Sequence, residues 1–141
     1  MSEAKAWTYY YRNKASEGDL AVPQANEICG LGGTLKEGSG HTEWVDGRSH
    51  QTGFTAVFTP NTQVLCEDAG HDVDWTNQQE GKSLTAKTFA AVTARSYHNG
   101  GVNAAYMDGS VHFVSNEIDL VTWRAASTRK GSEATTTTLA R

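Results

Sequence analysis

An α+β fold, mainly antiparallel β, built of hairpins with one short helix near the C terminus, is the architecture this sequence predicts. Three observations carry that prediction. The chain has 14 glycines, many threonines and few aliphatic residues, which suits short strands and turns better than long helices. Two Asp-Gly pairs, Asp46-Gly47 and Asp108-Gly109, each sit between extended-looking segments. Such a pair is the usual signal for a two-residue hairpin loop with φ > 0 at both central positions. Beyond the second pair, Ile118, Val121, Thr122 and Ala125 recur at helical spacing.

The elements follow in order. From Ala4 to Arg12, Trp7, Tyr9 and Tyr11 alternate with Ala6, Thr8 and Tyr10, the pattern of a half-buried strand. Residues 13–40 mix Glu-Gly, Pro and CGLGG and read mostly as loop, with a short strand near residues 27–29. The Asp46-Gly47 turn pairs Val45 with Arg48 and Trp44 with Ser49, and sets Glu43 opposite His50. Its second strand continues through residues 54–58, and residues 63–66 make another before the acidic stretch EDAGHDVD. Residues 88–95 read as a strand from their β-branched and aromatic content. The Asp108-Gly109 turn then pairs Met107 with Ser110, Tyr106 with Val111 and Ala105 with His112. Ser115 or Asn116 caps the helix. WVDGRSH and YMDGSVH echo each other, so the sequence predicts two similar hairpins. Residues 1–131 form a single globular head, and 132–141, with four consecutive threonines, a flexible or edge-paired tail.

Composition narrows the function classes. A net charge of −4 without a basic run leaves no nucleic-acid footprint. No apolar run reaches the ~18 residues of a membrane span, and the opening MSEAKAWTYYYRN is not a signal peptide. As given, the chain reads as soluble and without membrane contact of its own.

The residue types that carry chemistry are scattered. His98 and Asp108 lie ten positions apart, but an extended strand between them separates the two by roughly 20 Å. Asp108 then serves as the turn residue before Gly109, and His98 marks the corner entering the strand before Gly100 and Gly101. Asp68, His71, Asp72 and Asp74 crowd one stretch with the oxygen ligands calcium prefers, yet without an EF-hand pattern. A solvated acidic loop is the simpler reading, and Asp68, Asp72 and Asp74 stand as weak calcium candidates. Trp7, Trp44, Trp75 and Trp123 fit a core better than a glycan-stacking surface. Cys29 and Cys66 either pair in one disulfide or serve as two small core thiols, and neither belongs to a CxxC. No nucleophile, metal-protease or phosphate-loop motif is present, so the sequence predicts no enzyme and no required cofactor.

The run SYHNGGVNAAYMDGSVHFVSNEIDLVTWRAASTRKGSE contains His98, nine residues, then Asp108-Gly109. It resembles the C-terminal signature of the H-x(9)-D-G prepilin-type family, a domain of unknown function in planctomycete-type bacteria. HTEWVDGRSHQTGFTAVFTPNT, DVDW and TFAAVTARSYH resemble the same family in the same order, from about Glu3 to Glu133. The resemblance implies the globular head of a type IV pilin-like or pseudopilin-like protein of the cell envelope, periplasmic or extracellular. Its expected partners are copies of itself or other pilin-like subunits. It implies no catalytic residues. Members usually begin with a prepilin leader and a long apolar helix, and Met1 falls well inside the region that follows them. For an exported head, the resemblance further implies that Cys29 and Cys66 pair. A calcium- or glycan-binding extracellular module is the alternative.

Overall fold

The structure is a computed structural model that describes residues 7–10, 22–36, 40–66, 70, 72–77, 84–85 and 87–128. Asp68, His71 and the 132–141 tail lie outside the described residues. The chain adopts the expected small α+β fold, with an antiparallel hairpin and a short helix near its C terminus.

Among the described residues, six strands form two sheets. In the first, β1 (Trp7–Tyr10) lies between β2 (Thr34–Lys36) and β3 (Val73–Thr76), and β3 continues to β4 (Ala90–Ala91). The β1–β2 and β3–β4 pairs are antiparallel, whereas β1 and β3 run parallel with Tyr9 opposite Trp75. That central parallel pairing is absent from the sequence reading, because nothing local in Trp7–Tyr10 points to a partner 66 residues away. Every residue of β3 is buried, as expected of a parallel-paired strand covered on both faces. The second sheet is the hairpin of β5 (Gly101–Ala105) and β6 (Val111–Ser115).

The hairpin's register is one residue away from the expected one. Ala105 pairs with Val111 and Ala104 with His112. Tyr106 N–H donates to Ser110 O and Gly109 N–H to Tyr106 O, which closes a three-residue loop, Met107-Asp108-Gly109. Only Gly109 takes a positive φ, 84°. The reason is local. A two-residue loop would put Asp108 at φ > 0 as well, whereas the longer loop places that demand on glycine alone. Asp108 instead accepts Ser110 N–H on Oδ1 at 2.9 Å.

Asp46-Gly47 forms no hairpin. Asp46 Oδ1 accepts Arg48 N–H at 3.0 Å and its Oδ2 takes the Arg48 guanidinium. This turn delivers the chain into a single helical turn, α1 (Ser49–Thr52), and Gly47 is not among the positive-φ residues. Gln51 closes the structure from the other side, since its Oε1 accepts Thr42 N–H and Glu43 N–H at 2.9 and 3.0 Å. Glu43 is therefore exposed beside Arg48, while His50 is buried, and the expected Glu43–His50 pair does not form. The sequence echo survives only as the Asp-to-residue-i+2 bond shared by the two Asp-Gly turns.

Other expected strands are shorter or absent. Glu27 and Cys29 fall in two single-turn 3₁₀ helices, Ala25–Glu27 and Cys29–Leu31, with Ile28 between them. Residues 54–58 are loop and turn, and residues 63–66 contribute one bridge, Leu65 to Asp72. Of residues 88–95, Ala90 and Ala91 join the ladder, and residues 92–95 follow buried outside it.

Two apolar clusters result. One gathers Ile28, Phe58, Val64, Cys66, Val73, Trp75 and Ala91. The other gathers Ala94, Val102, Ala104, Val114 and Trp123 beneath the hairpin. Helix α2 (Leu120–Ala126) is capped by Asp119, whose Oδ1 accepts Thr122 N–H at 2.9 Å, and not by Ser115 or Asn116. Its inward residues are Thr122 and Trp123, and Val121 is exposed. The physical cause is size: turning the largest side chain inward outweighs turning Val121 inward. Trp123 stacks on Phe54 and donates Nε1–H to Phe58 O at 2.9 Å, which ties the two clusters together. Trp75 donates to Gly32 O at 3.0 Å. Trp44, by contrast, is 78% exposed and belongs to no core.

Candidate functional site

Two groups of polar side chains merit scrutiny as sites, one on the hairpin and one inside the head. On the hairpin, His98 is exposed in the turn before β5, its N–H donating to Ser96 Oγ. Gly100 has φ 82°, and its carbonyl accepts Asn116 N–H at 2.9 Å. At Gly101 a β-carbon would stand 2.2 Å from Val114 O and 2.7 Å from the Phe113 ring, so only glycine fits. Asn61, at φ 56°, joins this corner to the head. Its amide donates to Asn116 Oδ1 and its Oδ1 accepts Ser96 N–H, both at 2.8 Å. The five residues of β5 separate this corner from Asp108 and Gly109 at the other end. His98 and Asp108 therefore share nothing.

At the tip, Asp108, Ser110 and His112 do form a chain. Ser110 Oγ lies 2.7 Å from Asp108 Oδ1 and 3.0 Å from His112 Nε2. A carboxylate only accepts, so the serine hydroxyl donates to Asp108 and its lone pair takes the His112 Nε2–H. That order differs from a serine nucleophile's, in which histidine removes the hydroxyl proton. The bond from Ser110 also holds the Asp108 carboxyl below its ordinary range, as the hydroxyl favours the charged form.

The interior group centres on Asp74, which is fully buried. Its Oδ1 accepts Thr93 N–H at 3.1 Å and one Arg95 Nη1–H. Arg95 gives Nη2–H to Val73 O at 3.0 Å, and its Nε lies 3.8 Å from Asp72 Oδ2. Asp72 Oδ1 in turn accepts Val64 N–H at 3.0 Å. His41, at φ 54°, brings its ring in from the other side. Its Nδ1 faces Gln51 O at 3.0 Å and so carries hydrogen, leaving Nε2 3.6 Å from Asp74 Oδ2. Removing one partner from such a buried pair costs about 3–5 kcal/mol, because the other charge stays buried.

Asp72 and Asp74 are therefore not part of a solvated acidic loop. Both face the Arg95 guanidinium. No group of three or more metal-ligating side chains occurs among the described residues. Sequence reading missed His41, Gln51 and Arg95. The signal was present in DVDW: an Asp alternating with Val and Trp along a buried strand points inward and demands a donor. Cys29 and Cys66 are bonded, with their Cα atoms 5.6 Å apart. The link joins the second 3₁₀ turn to the first apolar cluster. No described helix is long and apolar enough to cross a membrane.

These features define a small disulfide-bonded α+β fold in which a hairpin joins the core through Asn61 and Asn116. Residues 14–121 match the family described as protein of unknown function DUF1559, and the chain belongs to that family. No curated protein and no solved structure matches it.

Proposed function

We propose that this chain is the structural, non-catalytic head of a type IV pilin-like or pseudopilin-like protein of the cell envelope. The observation that carries the reading is the Cys29–Cys66 bond, since structural disulfides persist in oxidising compartments and are rare in the cytosol. The H-x(9)-D-G run supports it from the sequence side. A further support is that Asp74 bonds Arg95 and that Asp108, Ser110 and His112 bond one another. In this role the head presents a stable surface to like subunits.

The test is made in the native cell with the product of the whole gene. Thiol alkylation before and after reduction, combined with fractionation, should place the protein in the envelope with both cysteines protected until reduced. A cytoplasmic protein with both thiols freely alkylated would overturn the reading.

A further inference from the structure

The geometry points to a peptide-binding groove along the free edge of β5, one that takes an extended acidic segment by strand addition. The inference rests on the described head alone and stands apart from the envelope reading.

The pairing pattern settles which backbone groups are free. Asn116 N–H reaches Gly100 O and Tyr106 N–H reaches Ser110 O, so even-numbered residues of β5 turn their amides toward β6. Antiparallel ladders alternate, so Asn103 and Ala105 turn theirs outward. Both are exposed, and neither has a hydrogen-bond partner among the described residues. Such an edge is a template for another strand.

A space for that strand is already present. One cleft of about 590 Å³ runs beside β5 from His98 and Thr93 to Ala105. A second, about 750 Å³, continues from Ala105 past Trp123 to Thr128 at the end of α2. The two share Phe54, Ala104 and Ala105, so they lie end to end along the same edge. Ala104 and Ala105 are small enough to leave it open. A strand edge facing a helix across an apolar trough is the arrangement used by modules that bind peptides by β-augmentation.

Charge selects the occupant. The protein's net charge is −4, yet among the described residues neither cleft is lined by an Asp or Glu. Arg124 stands at the α2 end. Its Nε and Nη2 hold Ala56 O and Val57 O, and its Nη1 has no partner among the described residues. Exposed His98 stands at the other end. A segment of small β-branched residues carrying aspartate or glutamate next to Arg124 matches both the trough and its charge.

Two amidated hexapeptides serve as probes, each with four alternating threonines and valines followed by two aspartates or two lysines. They are titrated into ¹⁵N-labelled protein. The aspartate peptide should slow amide exchange at Asn103 and Ala105 by about tenfold or more, and bind several-fold more tightly than the lysine peptide. Ala105→Pro removes only an outward N–H and no ladder bond, so it should weaken binding by about tenfold while Val114 and Trp123 resonances stay in place. The wild-type exchange pattern decides the matter even if that variant fails to fold. No change at millimolar aspartate peptide would overturn the proposal. So would equal binding of both peptides, or protection appearing at Val111 and Phe113 on β6 instead.

Discussion

Gly101 and Gly47 are the same residue type under opposite constraints. At Gly101 an added β-carbon meets the Val114 carbonyl and the Phe113 ring, while at Gly47 it meets nothing within 4 Å. Gly101→Ala should therefore destabilise the head by about 2 kcal/mol or more, through overpacking against backbone that cannot move aside. Gly47→Ala should stay within ~0.5 kcal/mol of wild type, as an unconstrained surface change does. Urea midpoints of the two variants check the contrast, and equal midpoints would mean the hairpin backbones lie farther apart than described. A second consequence at this scale is acid sensitivity. The bond from the Arg48 side chain lowers the Asp46 carboxyl from 3.8 to about 2. Asp108, held by the Ser110 hydroxyl, and Asp119, held by Thr122 N–H, move the same way. A carboxyl depressed on folding contributes stability above its unfolded value and loses it as pH falls through the folded one. Asp46→Asn should thus be less stable than wild type at neutral pH, with the gap closing between pH 3.8 and about 2. Denaturation midpoints measured across that window test this, and a gap that is constant with pH would rule out the Arg48 contact as its source.

At the scale of elements, the hairpin is the clearest case. In the three-residue loop, Asn103 lies opposite Phe113 and Ala105 opposite Val111 as non-hydrogen-bonded pairs. Their α-protons should give strong cross-strand nuclear Overhauser contacts. Strong contacts between residues 106 and 111 and between 104 and 113 instead would restore the two-residue turn. The hairpin and the C-terminal helix were legible in the sequence because each is made of neighbours: a turn, alternating residues, a helical spacing. The loop type was not, because Asp-Gly fits both a two-residue and a three-residue turn, and the Ser110 bond to Asp108 decides between them. At Asp46-Gly47 the same pair feeds a helical turn, because Arg48 and Gln51 supply donors and acceptors that a strand would have left in water. The buried Asp74–Arg95 pair was invisible for a related reason. Its partners are 21 residues apart and meet only once β3 and the run after β4 lie side by side.

For the whole molecule, the disulfide is the largest single constraint. It spans 37 residues, and a loop of that size is worth about 4 kcal/mol in the chain-entropy account. Cys29→Ser/Cys66→Ser should lose about that much in chemical denaturation, a large share of the ~5–15 kcal/mol typical of a domain. A loss below ~1 kcal/mol would mean that the unfolded chain already holds these segments together. The two apolar clusters should still melt as one unit, because Trp123 bonds Phe58 across them and Arg124 holds Ala56 and Val57.

The parallel pairing of β1 with β3 also sets a schedule. Strands emerge in chain order, yet the sheet runs β2, β1, β3, β4. β1 is made first and sits in the middle, so its second neighbour does not exist until residue 76 has been synthesised. During that interval one side of β1 is an open edge, exposed to any other strand nearby. Among the described strands, only β2, of three residues, is available early enough to shield it. Nascent chains crowded together on a polysome are therefore most exposed to mispairing before β3 arrives. The β5–β6 hairpin, whose strands are separated by five residues, closes on itself with no comparable wait.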